Sequence, residues 1–157
     1  MIVVDSFLSK EDFIKVYFYC YNEKYIYGEK DNPHTPITGM IHVLEDNNDV
    51  YKLIDKSIKD KDLIDKNSSV KRMYINCFAP GENPYYHRDD SEWTFLLYIN
   101  EFVDINNNGE TLFVDETTGE LKGILPLQNR LVKFKGDMLH KATSNRNDHR
   151  FTLAIKY

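Results

Sequence analysis

Arg150-Phe151-Thr152-Leu153-Ala154-Ile155-Lys156-Tyr157 closes the sequence in strict alternation. Successive side chains of a strand point to opposite faces, so Phe151, Leu153, Ile155 and Tyr157 form one apolar face. That face has to be covered, and helices on the outside of a sheet would cover it. Arg150 and Thr152 share the other face, and Ala154 leaves space beyond them. The interior of this sheet is therefore polar at one end and roomy. Upstream, strand-like runs over residues 72–78, 93–100, 111–114, 121–125, 130–134 and 141–144 are separated by Gly, Pro and Asn. Short strands at this spacing predict a sandwich or barrel. The expected class is α+β and mainly β: a small barrel or jelly roll of cupin-like form, with N-terminal helices packed outside.

The first third supplies those helices. Ser9 is placed to cap a helix, with Asp12 at its third position and Leu8 and Phe13 as a hydrophobic staple. Phe13, Val16, Tyr17, Cys20 and Tyr21 recur at helical spacing and should bury one face. Tyr25, Tyr27, Ile37 and residues 40–44 read as short extended pieces around a Pro-containing loop. Asn48 caps a second helix with Val50, Leu53, Ile54 and Ile58 on one side. Residues 56–66 mix both charge signs and read as a solvated helix end and loop. The chain reads as one domain over 1–157, with 1–69 as support and 70–157 as the β core.

Composition narrows the function. The 157 residues carry 20 Lys and Arg against 25 Asp and Glu, a net charge of −5. That disfavours binding nucleic acid mainly by phosphate neutralisation. Two cysteines, Cys20 and Cys77, exclude a disulfide framework and a Cys-rich zinc site and point to a reducing compartment. Neither a signal peptide nor a membrane-spanning run is expected.

His87-Arg88-Asp89 is an H-x-D triplet, and residues i and i+2 of an extended segment can converge on one ion. His140, in Gly136-Asp137-Met138-Leu139-His140, offers a second imidazole at the start of another strand. Two histidines and one carboxylate on one face of an octahedron leave three positions open, the pattern of non-haem Fe(II) oxygenases. A zinc hydrolase uses the same ligand types. Arg150, ten residues beyond His140, weighs against that reading. An interior guanidinium needs an anionic partner, no acid of the sequence is obviously assigned to it, and a dicarboxylate ligand would fill the role, with Thr152 adding a hydrogen bond.

At this point the sequence resembles the Fe(II)- and 2-oxoglutarate-dependent dioxygenases, in particular their prolyl-hydroxylase-like branch with its small phage and bacterial members. The residues that carry the likeness occur in family order from Arg72 onward: His87-Arg88-Asp89, Leu97-Tyr98-Ile99-Asn100, Asn108-Gly109-Glu110-Thr111-Leu112-Phe113, Asn129-Arg130-Leu131-Val132-Lys133-Phe134, His140 and Arg150-Phe151-Thr152. The resemblance implies a double-stranded β-helix in which His87, Asp89 and His140 bind Fe(II). It implies that Arg150 pairs with the distal carboxylate of 2-oxoglutarate, with Tyr98 on the same carboxylate. The implied reaction uses O2, converts 2-oxoglutarate to succinate and CO2, and hydroxylates a C–H bond of a prolyl peptide or protein, or of a small molecule. Where the family often has a tyrosine before the H-x-D histidine, this chain has Phe78, for which Tyr74 could substitute. Asn108-Gly109-Glu110-Thr111 stands where many members read Gly-Gly-Glu-Thr. Tyr85 and Tyr86, in a Pro- and Gly-containing stretch leading into the metal triplet, and Arg88 are candidate substrate contacts. The implied location is the cytoplasm, the host's if the chain is phage-encoded; the sequence sets no oligomeric state.

Two other readings are weighed. Asp104-Ile105-Asn106-Asn107-Asn108-Gly109 matches the start of an EF-hand calcium loop, with Asp115 at the twelfth position. Its flanks are strand-like, so a hairpin loop is expected. A non-enzymatic cupin-like binding module is the alternative to an oxygenase. Arg150 paired with a protein carboxylate would favour that module.

Overall fold

The computed structural model describes residues 1–28, 30–102 and 104–157. The described residues form strands β1 (Ile2–Val4), β2 (Ile26–Tyr27), β3 (Met40–Val43), β4 (Arg72–Phe78), β5 (Trp93–Tyr98), β6 (Thr111–Val114), β7 (Leu121–Ile124), β8 (Leu131–Lys135), β9 (His140–Ala142) and β10 (Arg150–Lys156), with helices α1 (Lys10–Asn22) and α2 (Asp49–Asp60). A seven-stranded sheet has the order β1-β8-β5-β10-β4-β3-β2, and a smaller sheet the order β7-β6-β9. All pairings are antiparallel.

Local sequence explains both helices. Ser9 Oγ accepts from the Asp12 amide at 3.1 Å and donates to the Asp12 carboxylate at 2.9 Å. Asn48 Oδ1 accepts from the amides of Val50 and Tyr51. Such caps each stabilise a helix by about 1 kcal/mol. The buried stripes Phe13, Val16, Cys20 and Val50, Ile54, Ile58 then face the larger sheet. There they join Leu153, Ile155 and Tyr157, the apolar face of β10, in one core. Fully burying each such aliphatic side chain is worth about 1.5–3 kcal/mol.

A second cluster lies on the other face of the larger sheet. It combines Tyr74, Leu96, Tyr98, Val132, Phe134 and Ala154 with Phe113 and Ile124 of the smaller sheet. The register of β10 against β4 sets Arg150 opposite Phe78, Thr152 opposite Asn76 and Ala154 opposite Tyr74. The alternation read from β10 is thus the alternation observed.

Four details differ from the sequence reading. Residues 2–4, not assigned as a strand, form β1 on the edge of the larger sheet, too short to carry a period. Ile37 lies outside the strands, whereas β2 and β3 extend the larger sheet beyond β4. Tyr21 is 44% exposed, stacked on Tyr17 and tilted against Phe151 at the rim of the helix–sheet core. Residues 104–109 are not a hairpin loop: β5 and β6 belong to different sheets, and a 3-10 turn at Ile105–Asn107 carries the chain between them. Asp115 turns away from that loop and accepts the amides of Thr117 and Thr118 in the β6–β7 turn. Among the described residues no helix is long and apolar enough to cross a membrane.

Candidate metal centre

His87 and His140, 53 residues apart, meet as a backbone pair: each amide donates to the other's carbonyl, at 2.9 and 3.0 Å. Their rings lie 4.4 Å apart between centroids. His87 Nε2 is 3.7 Å from Asp89 Oδ1, and His140 Nε2 is 3.6 Å from Asp89 Oδ2. One ligand atom from each residue falls within 4.8 Å of the others, the one such His, Cys, Asp and Glu cluster found among the described residues. Nδ1 of His87 faces the Tyr85 carbonyl at 3.0 Å and Nδ1 of His140 faces the Met138 carbonyl at 2.9 Å. A carbonyl can only accept, so both rings are placed to donate from Nδ1 and to turn Nε2 toward Asp89, the arrangement of metal-ligating histidines.

Close packing fixes the carboxylate. The Asp89 amide donates to the Gly136 carbonyl at 2.8 Å. A Cβ on Gly136 would lie 2.0 Å from the Ser91 carbonyl oxygen, so only glycine lets the β8–β9 turn approach the H-x-D segment. Thr94 Oγ1 donates to Asp89 Oδ2 at 2.6 Å, and the Lys156 ammonium binds the same oxygen. Burial by itself would raise the Asp89 pKa. The charges of Lys156 and His140 and the hydrogen bonds from Lys156 and Thr94 outweigh it, and the carboxyl is held below its ordinary value.

His140 is only 4% exposed, between Phe113 and Phe134. Burial pushes its pKa down to about 4, against an opposing pull from Asp89. The imidazole is therefore neutral at pH 7, the form a metal requires. In the metal-free protein the unfolded chain takes up this proton near pH 6.5 while the folded chain resists until about pH 4. Stability should thus fall as pH drops from 6.5 to 4, by an amount on the order of 3 kcal/mol. Urea midpoints across this window should show that fall, and His140→Gln should lose most of it.

The triad borders a cavity of about 280 Å³. Arg150 lines the same cavity and is 2% exposed. Nε donates to the Gly109 carbonyl at 2.8 Å, Nη1 to Thr152 Oγ1 at 3.2 Å and Nη2 to Thr111 Oγ1 at 3.2 Å. These acceptors are neutral oxygens, and among the described residues no carboxylate forms an ion pair with Arg150. Gly109 has φ +89° and a Cβ there would meet Asn145 Oδ1 at 2.3 Å, so the turn that presents its carbonyl depends on glycine.

The other expected site residues divide into two groups. Thr152, Tyr74 and Arg88 line the cavity, as does Phe78. Tyr98 lies beside Arg150, whose guanidinium carbon is 5.6 Å from the ring centroid, but its hydroxyl donates to Thr111 Oγ1 at 2.7 Å. Tyr85 and Tyr86 do not border the cavity: Tyr85 is 43% exposed, and Tyr86 carries the Lys141 ammonium 4.9 Å from its ring centroid. Arg88 pairs with Glu116 and the Asp137 carbonyl. Sequence reading had not assigned Lys156, Asn76, Thr111 or Asp31 to the site. Lys156 and Asn76 were available from the alternation, since they share faces with Arg150 and Tyr74. Asp31 carried no signal: its carboxylate reaches His87 Nδ1 at 3.5 Å and the Tyr85 amide at 2.6 Å from a loop far away in sequence.

No protein-family model matches the chain, and no curated protein does. Solved structures do. A Pseudomonas putida prolyl-4-hydroxylase aligns with a TM-score of 0.82 at 15% identity, over 99% of this chain and 91% of that one. This is the prolyl-hydroxylase fold. The same fold is shared with a Trichoplax adhaerens prolyl hydroxylase in complex with a hypoxia inducible factor peptide fragment, at a TM-score of 0.77 and 14% identity over 99% of this chain and 82% of that one. HygX from Streptomyces hygroscopicus, solved with nickel and 2-oxoglutarate bound, aligns at 0.74 and 8% identity over 98% of this chain and 80% of that one. In the prolyl-hydroxylase fold of this chain, the triad and Arg150 face one cavity between the two sheets.

Proposed function

We propose that the protein is an Fe(II)- and 2-oxoglutarate-dependent oxygenase and that its two sheets form the double-stranded β-helix of that superfamily. The observation that carries the reading is Arg150. A fully buried guanidinium hydrogen-bonded to neutral oxygens, with Glu110 acting on it through space rather than in an ion pair, in a cavity that also exposes two imidazoles and a carboxylate, suits a bound dicarboxylate. The same observation weighs against the binding-module alternative, which would have a protein carboxylate on Arg150.

The donor set suits Fe(II): two nitrogen ligands and one oxygen ligand, with the open side toward the cavity. When bound, iron with 2-oxoglutarate and O2 would supply the oxidising chemistry, yielding succinate, CO2 and a hydroxylated substrate. The chain's own residues bind and orient. Arg150, with Thr152 and Thr111, would hold the distal carboxylate and fix the cosubstrate's direction. Phe113 and Phe134 keep His140 dry and neutral. Phe78 offers no hydroxyl to the cosubstrate, and the Tyr74 ring lines the same wall. The substrate class follows by analogy of fold: a prolyl peptide or protein, or a small molecule.

The test is an anaerobic titration of the metal-free protein with Fe(II) and then 2-oxoglutarate. A weak visible charge-transfer band that disappears in His140→Ala is the expected result. Absence of both the band and iron binding would overturn the reading and leave the binding module.

A further inference from the structure

We infer that Lys156 sets the divalent-metal affinity of the triad by offsetting the charge of Asp89. This rests on the reading of His87, Asp89 and His140 as a metal centre. Lys156 ends β10 on the same inward face as Arg150, and the register sets it opposite Thr94 of β5. The chain then folds back over it: the amides of Glu92 and Trp93 donate to the Tyr157 carbonyl at 2.9 and 3.3 Å, which brings residues 89–92 down onto the end of β10. The ammonium binds Asp89 Oδ2 and reaches Thr94 Oγ1 at 3.3 Å. Its side chain is 11% exposed and that of Asp89 8%, so water screens the pair weakly.

Two contributions of Lys156 can be separated. Holding the carboxylate in place is a task Thr94 also performs, through its 2.6 Å bond to the same oxygen. Charge is what Lys156 alone adds. Asp89 is the one acidic ligand of the triad, and an ammonium on its Oδ2 withdraws that negative charge from an approaching dication. Outer partners that make a ligand more basic strengthen metal binding, typically by 10–100-fold. A cation on the carboxylate acts in the opposite sense. Lys156 is thus a positioning residue with an inverted effect: its loss should tighten metal binding.

The experiment is Mn²⁺ binding to the full chain, without 2-oxoglutarate, followed by isothermal calorimetry and by the loss of the free Mn²⁺ EPR signal. Lys156→Met should bind Mn²⁺ at least about tenfold more tightly than the parent, whereas Lys156→Arg should stay within about threefold. Thr94→Val, which removes a hydrogen bond and no charge, should bind more weakly. Lys156→Gln serves as a second neutral variant if Lys156→Met does not fold, judged by circular dichroism. Unchanged or weaker binding in the neutral variants would overturn the inference and leave Lys156 a structural residue. No Mn²⁺ binding by the parent protein would instead overturn the metal-centre reading beneath it.

Discussion

Asp89→Ala is expected to abolish metal binding and turnover together. Asp89 is the single carboxylate of the triad, and its removal leaves two imidazoles. The loss should exceed the 10–100-fold that follows from removing an outer partner of a ligand. The same substitution takes from Lys156 the carboxylate it binds inside the protein. Removing one side of a buried pair is destabilising, so a lower unfolding midpoint is expected as well. His140→Ala deletes a ligand and leaves the Asp89–Lys156 pair in place. Both variants should fail to bind Fe(II) in calorimetry. Succinate formation at the parent rate by Asp89→Ala would sink the oxygenase assignment.

Arg150→Met should leave metal binding within about threefold of the parent and cripple use of the cosubstrate. Truncating one side of a buried, hydrogen-bonded charge pair costs about 2–5 kcal/mol, which at 1.36 kcal/mol per decade corresponds to about 30- to 5,000-fold in 2-oxoglutarate affinity. Arg150→Lys keeps the charge but lacks the planar fork that meets Gly109, Thr111 and Thr152 at once, so it should recover only part of the loss. The readout is the 2-oxoglutarate concentration that half-saturates the charge-transfer band. A value within threefold of the parent in Arg150→Met would remove Arg150 from the cosubstrate site.

Much of the fold was legible because its strands alternate cleanly. β4 and β6 coincide with the expected runs, and β10 with all but its last residue, since each has a distinct apolar face. β1 was not legible: at three residues on a sheet edge it depends on pairing with β8 rather than on any pattern of its own. The same division holds in the cavity. His87, Asp89, His140 and Arg150 could be named because metal and anion chemistry restricts residue type. Tyr98 sits beside Arg150 as its strand phase required, yet the direction of its hydroxyl was decided by Thr111 on the opposing sheet, a contact no local pattern encodes. Lys156 was in phase with Arg150 but had no partner in view, because the residues that close over it, 89–92, come from a turn.

β10 lies in the middle of the larger sheet, between β5 and β4, although it is the last of the strands in sequence. During synthesis the sheet therefore stays split, with β4 and β5 lacking their common neighbour, until residues 150–156 have left the ribosome. Pairings that span so much of the chain form slowly, and the nascent protein meanwhile exposes two open edges to chaperones and to other chains. The same strand brings Arg150 and Lys156, so the buried guanidinium of the cavity and the ammonium on Asp89 arrive with the keystone. A copy truncated before residue 150 would lack Arg150 and the middle of its larger sheet together, a product fit for proteolysis.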